Sequence, residues 1–207
     1  MPPDTHIPGV PFALTPSPDT EWAVDTSGHV EVTATPHSDI FVDPGGSGQV
    51  NAQTLLNAAT LLGDAPPGDF TFHARVSVDF ASTFDAGVLL LWFDERHWAK
   101  LCFEFSPDRD PMVVSVVNRG VADDANSFVV KEDAVWLRVS RVDAVFAYHA
   151  STDGTRWQFV RAFVLDGSEA ALKVGFEAQS PTGEGCRVRF TQVAFTDRRL
   201  SDLRDGS

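Results

Sequence analysis

From Ala86 to Pro107 the chain reads AGVLLLWFDERHWAKLCFEFSP, and its apolar positions change period in the middle. Val88 to Phe93 is almost continuously apolar, the mark of a strand covered on both faces. After the polar turn Asp94-Glu95-Arg96-His97 the pattern alternates. Trp98, Lys100, Cys102 and Glu104 share one face, while Ala99, Leu101, Phe103 and Phe105 share the other. The second set predicts core. The first mixes an indole, an ammonium, a thiol and a carboxylate, and on a sheet concave toward that side it lines a groove.

The same reading extends along the chain. Pro2 to Asp19 holds Pro2, Pro3, Pro8, Pro11, Pro16 and Pro18, which predicts an extended segment that either drapes over a domain or stays loose. Trp22–Asp25 and His29–Thr35 alternate as strands about a Ser27-Gly28 turn, and Asp39–Asp43 predicts a short strand. Pro44-Gly45-Gly46-Ser47-Gly48 lacks the Gly-Lys-Ser/Thr of a phosphate loop and predicts a flexible turn. Asn51–Leu62 has apolar residues at helical spacing, but the turn that ends it favours strand. Phe70–Val78, Pro111–Val117, Trp136–Arg141, Val145–Ala150, Trp157–Leu165, Leu172–Gln179 and Cys186–Phe195 predict further strands, with Asn118–Asn126 a polar loop and Ser151–Gly154 a hairpin turn. About a dozen strands with short connections and no sustained helix predict an all-β sandwich of two antiparallel sheets. The expected organisation is a Pro-rich segment over 1–21, one domain over 22–196 and a charged tail over 197–207.

Composition supports that picture and narrows the partners. The 207 residues include 16 Phe, ample material for a β core. The formal charge of −13 argues against nucleic acid or an anionic membrane as partner, because both require a basic surface. No cationic and apolar leader opens the chain, and no run approaches the ~20 apolar residues of a membrane span. Cytoplasmic localisation is therefore the expectation, with Cys102 and Cys186 as reduced thiols. The six His show no zinc-like spacing, and no cofactor is expected.

Several blocks in order carry a resemblance: AGVLLLWFDERHWAKLCFEFSP, VVSVVNRGVADDANS from Val113, WLRVSR from Trp136, STDGTRW from Ser151 and VGFEAQSPTGEGC from Val174. Over about Asp69 to Phe195 the chain resembles the concanavalin A-like domains of domain-of-unknown-function family 1349, a group that includes a protein described as a regulator of enolase. The resemblance implies a jelly roll of two curved sheets and brings no established reaction. Asn118 and Ala122 stand where similar sequences tend to carry Thr and Ser, so a role for hydroxyls in that loop is not expected here.

Three functions follow as expectations. In the first, a non-catalytic module binds a carbohydrate, a sugar phosphate or a related polar metabolite on the groove face. Its residues are Trp98, Lys100 and Glu104, with Arg119, Trp136, Arg138, Glu177 and Gln179 at matching parity on other strands. The plain reading of the same residues is a solvated sheet face braced by ion pairs of little worth. In the second, the domain is a protein-interaction module that regulates a metabolic enzyme such as enolase. In the third, Glu104 and Glu177 act as a glycosidase pair, although Lys100 stands where a second acid on the same strand is expected. The balance leans away from an enzyme. Asp123, Asp124 and Asn126 cluster oxygen ligands as a calcium site would, though such residues more often form turns. Cys102 beside Lys100, and Cys186, are read as reactive thiols or, more simply, as small residues filling the sheet.

Overall fold

The computed structural model describes residues 4–45, 53–165 and 168–207. Its strands, numbered in chain order, form two antiparallel sheets of seven and a short ribbon. The first sheet runs β1 (Thr15–Pro16), β6 (Ala59–Asp64), β15 (Lys173–Gln179), β8 (Ala86–Asp94), β9 (His97–Phe105), β10 (Pro111–Arg119), β11 (Ala122–Val129). The second runs β14 (Gln158–Val164), β13 (Val145–Ser151), β12 (Val135–Val142), β7 (Phe70–Val78), β16 (Arg187–Thr196), β3 (Val30–Thr33), β2 (Trp22–Val24). The ribbon pairs β4 (Ile40–Phe41) with β5 (Leu55–Leu56). The architecture is a jelly-roll β-sandwich.

Alternation decides which side chains enter the core. Leu89 and Leu91 of β8, Ala99, Leu101 and Phe103 of β9, and Val174 and Phe176 of β15 point inward from the first sheet. Phe72 and Val76 of β7, Leu137 and Val139 of β12, Tyr148 of β13 and Phe190 of β16 meet them from the second. Phe176 bridges the layers, its ring centre 5.4 Å from that of Phe72 and 4.6 Å from that of Phe190. The sheets approach closely at Gly87, where a Cβ would lie 2.6 Å from methyl carbons of both Val76 and Val188. Only a residue without a side chain fits that contact.

The hairpin about Glu95-Arg96 forms as its pattern predicts, with Leu89 opposite Leu101 and Leu91 opposite Ala99. The Asp94 carboxylate closes the turn, accepting from the Arg96 amide at 2.8 Å and lying 2.9 Å from His97 Nδ1. The stretch before Leu62 is strand rather than helix. Asn51, Ala52 and the Gly46–Gly48 part of the expected turn lie outside the described residues. One element departs from expectation: the polar stretch Asn118–Asn126 is a turn at Gly120-Val121 followed by the edge strand β11, hydrogen-bonded to β10 with Val116 opposite Asp124. An edge strand with both faces toward solvent needs no apolar alternation, so the pattern that marks buried strands is missing there.

The Pro-rich segment lies against the sandwich: Ile7 and Leu14 are buried, and β1 pairs with β6 to form one edge of the first sheet. Among the described residues no helix is long and apolar enough to cross a membrane.

Phe176→Ala removes the ring that joins the two layers and is expected to cost about 3–5 kcal/mol, the usual range for a large core aromatic. Urea denaturation of the variant against wild type measures it, and a loss below about 1 kcal/mol would show that the layers do not depend on this contact.

Candidate functional site

On the outer face of the first sheet the alternating row Trp98, Lys100, Cys102 and Glu104 does stand together, and β15 adds Glu177 and Gln179. The face is not open. Residues Ser38 to Val42 cross it as a strap, hydrogen-bonded to Ser180 beyond β15 at one end and, through the Val42 carbonyl, to the Ala122 amide of β11 at the other. Ile40 of the strap packs with Leu90, Trp98, Val116 and Ala122, and Trp98 is wholly buried. A tryptophan in that position holds the strap and has no face left for a sugar ring.

Beneath the strap lies a buried ion network. Lys100 Nζ donates to Asp39 Oδ1 and to Gln179 Oε1, each at 2.8 Å, and stands 3.7 Å from Glu177 Oε1. Burial alone would lower the lysine pKa, but Asp39 and Glu177 outweigh it and hold the ammonium above the ordinary lysine value. Glu177 is fully buried and neither carboxyl oxygen has a hydrogen-bond partner, so burial pushes its pKa up to about 8 against the pull of Lys100. Glu104, partly exposed at the end of the row, is likewise raised by burial to about 8. Asp124 of β11, on the same face, is raised for the same reason. Among the described residues, then, one ammonium serves several acids on this face.

Three residues grouped by parity lie elsewhere. Arg119 is one residue out of phase with the outer row, and its guanidinium donates to the Val164 carbonyl at 3.1 and 2.8 Å, tying the ends of the two sheets. Trp136 and Arg138 belong to β12 and face outward from the second sheet. Parity matched them to the wrong layer, because alternation is the same on every strand. The candidate metal ligands also separate: Asp123 pairs with Arg161 at 2.8 Å, whereas Asp124 and Asn126 face the other side of β11. Among the described residues no three His, Cys, Asp or Glu side chains converge as metal ligands. Glu177 lies under the strap, so Glu104 and Glu177 do not face one another across an open cleft.

The open aromatic cavity is on the second sheet. It has a volume of about 510 Å³ and is walled by half-buried Trp136 and Trp157, with His73, Arg138, Gln192 and Arg198 among its lining. Trp136 Nε1 donates to Gln192 Oε1 at 2.8 Å, and Gly154, at φ 74, lets the Asp153 turn approach the indole edge. The Arg138 guanidinium lies 4.2 Å from the centre of the Trp157 ring. The chain beyond β16 folds back over this sheet: Arg138 Nη2 donates to the Gly206 carbonyl at 2.9 Å, and His149 Nε2 lies 2.9 Å from the Leu203 carbonyl. Trp157, His73, Gln192 and Arg198 carried no signal in the sequence, since they come from separate strands and turns.

A larger cavity of about 770 Å³ opens at the end of the sandwich between β7, β10 and the Lys131–Ala134 connection. Of its cations, Arg189 is engaged by Asp79 at 2.9 and 3.0 Å and by Glu31 at 3.1 Å, while Arg75 lies over the Trp136 ring, and the lining acids Asp79, Asp110, Glu132 and Asp133 outnumber the cations Arg75, Lys131 and Arg189. Cys102 and Cys186 are free and buried, and burial raises both thiols, Cys186 to about 12. Buried thiols held protonated in this way are unreactive in the native state.

Comparison with known proteins places the fold. The family model described as "Protein of unknown function (DUF1349)" matches residues 17–198. A functionally unknown protein from Saccharomyces cerevisiae superposes with a TM-score of 0.76 at 24% identity, covering 90% of this chain and 97% of that one. A GH43 protein from Bacillus licheniformis gives 0.70 at 12% identity over 90% of this chain and 37% of that protein. An alginate lyase from Klebsiella pneumoniae gives 0.55 at 12% identity, over 84% and 83% of the two chains. None of the curated proteins matches the chain.

Two outcomes test the buried groups. Glu177 ionises near 4.5 when unfolded and near 8 when native, so between those values the native state holds the extra proton. Stability is therefore expected to fall as pH rises from about 4.5 to about 8 and to level off above it. Urea midpoints across that range measure the slope, and Glu104→Gln with Glu177→Gln flattens it; an equal slope in the double variant contradicts the assignment. A thiol reagent, in turn, is expected to label neither cysteine until denaturant unfolds the chain, and rapid native labelling would show that the sheet faces open.

Proposed function

The chain belongs to the DUF1349 family of proteins of unknown function, and from that premise we propose that it is a non-catalytic module that binds a carbohydrate or similar polar metabolite on the second sheet. One observation carries the reading: an open cavity of about 510 Å³ walled by two half-buried tryptophans and supplied with directional polar groups. Indole surface covers the apolar faces of a sugar ring, while Gln192, His73 and Arg138 offer hydrogen bonds to its hydroxyls. Several proteins of similar fold are named for polysaccharide chemistry, among them a xylan beta-1,4-xylosidase from Bacillus halodurans. That likeness supports the fold, and the chemistry of the pocket supports the binding.

A second reading is favoured by the first sheet. Its outer face is closed by the strap and spent on an internal ion network, which suits a domain that meets a protein through its exterior, as a regulator of a metabolic enzyme such as enolase would. Co-elution with purified enolase on a sizing column would support it.

The binding reading is tested by tryptophan fluorescence during titration with neutral and acidic mono- and oligosaccharides and sugar phosphates. A saturable change is expected in wild type and in Glu104→Gln, whose substitution lies on the other sheet. Trp157→Ala and Trp136→Ala are expected to weaken binding about tenfold, the scale of one lost aromatic contact. A flat response across the panel from the folded protein would overturn the proposal.

A further inference from the structure

We infer that the second-sheet pocket selects ligands carrying an anionic group, a carboxylate or a phosphate, and that Arg138 is the residue that receives it. The inference rests on the pocket reading above and names the class of ligand within it. Arg138 is only 5% exposed, yet among the described residues it forms no salt bridge. Its one hydrogen bond goes to the neutral Gly206 carbonyl, and its Nε has no partner. A buried guanidinium without a carboxylate is costly, and a chain of formal charge −13 has no shortage of carboxylates to offer it. The charge is instead kept free at the wall of an open cavity.

The side chains nearest Arg138 on the sheet are neutral or cationic. His73 of β7 and His149 of β13 stand opposite Arg138 on the two neighbouring strands. Burial and the arginine keep both His pKa values below the ordinary one, so at neutral pH they are uncharged hydrogen-bonding groups. Arg198, in the same lining, adds positive charge. The acid in the lining is Asp153, which stays ionised and is anchored to its own turn: Oδ1 accepts from the Thr155 amide at 2.7 Å, the Arg156 amide at 2.8 Å, the Thr155 hydroxyl at 2.9 Å and the Ser151 hydroxyl at 3.0 Å. Asp205 lies near His149 on the tail side and accepts from the Ser207 amide at 2.9 Å.

The site is also held in shape. Trp157 backs the guanidinium plane. On the other side the C-terminal turn closes on it at Gly206, whose φ of 77 favours glycine and where a Cβ would run into Arg138 Nη2. A guanidinium held in place at the cavity wall, with no carboxylate of the chain bound to it, is suited to a charge-assisted hydrogen bond to a carboxylate or phosphate, while the tryptophans cover the body of the ligand.

The experiment titrates the full chain with matched pairs, glucose against glucuronate and glucose against glucose 6-phosphate, together with inorganic phosphate, read by tryptophan fluorescence and calorimetry. The acidic member of a pair is expected to bind about tenfold or more tightly than the neutral one, with an affinity that falls as salt rises. In Arg138→Gln the preference disappears, while the neutral sugar weakens by no more than the one hydrogen bond that Arg138 offers its hydroxyls. Arg198→Gln, an exposed substitution, reduces the preference without risk to the fold. Equal binding of neutral and acidic sugars, or a preference unchanged in both variants, overturns the anionic inference and leaves the binding reading standing. Binding of neither class by the wild type overturns both. Preference for glucuronate alone or glucose 6-phosphate alone decides between the carboxylate and the phosphate.

Discussion

A lysine ammonium removed from water has to be matched by charge and hydrogen bonds, and the arrangement of the first sheet follows from how Lys100 is matched. Its partners are Gln179 and Glu177 from β15 and Asp39 from the strap. Because Asp39 comes from a segment that is not part of the sheet, neutralising Lys100 also fixes that segment across the sheet. Ile40, the next residue, then packs over Trp98 and Leu90. These two contacts, with the backbone hydrogen bonds at either end of the strap, close the face that alternation alone would leave open. Breaking the ion pair by removing one partner is costly in such surroundings, which makes the closure persistent.

The two faces of the sandwich treat charge in opposite ways. Around Lys100 the acids are in excess, and the structure meets the excess by raising Glu177, Glu104 and Asp124 toward protonation. On the second sheet the excess is positive: Arg138 has no acid, and its histidine neighbours stay neutral. The first arrangement is complete within the chain. The second leaves a guanidinium without a carboxylate partner among the described residues, and that difference is the observation behind the proposal that this pocket receives an anion.

The aromatic residues divide along the same line. Trp98 and the phenylalanines of the inner faces hold layers and strap together. Trp136 and Trp157 are only half-buried, and each has a cation over its ring, Arg75 over the one and Arg138 over the other. Glycines set how closely the turns approach these groups, Gly154 at Trp136 and Gly206 at Arg138.

By itself the sequence determined the strands and their faces. The hairpin about Glu95-Arg96, the inward row Leu101 and Phe103, the outward row Lys100 and Glu104 and the two-sheet class all follow from a period of two, a property of local backbone geometry. The edge strand β11 escaped because solvent on both faces imposes no pattern. Which sheet each strand joins was decided only by tertiary structure, through hydrogen-bond pairings between residues as distant in sequence as Val30 and Phe190. The period that marks a face is identical on both sheets, so Trp136 and Arg138 could not be separated from Trp98 and Lys100 by alternation. Nor could the strap be foreseen, since Asp39 meets Lys100 across 61 residues of chain, and the cost of leaving a buried ammonium unpaired, rather than any local preference, brings them together.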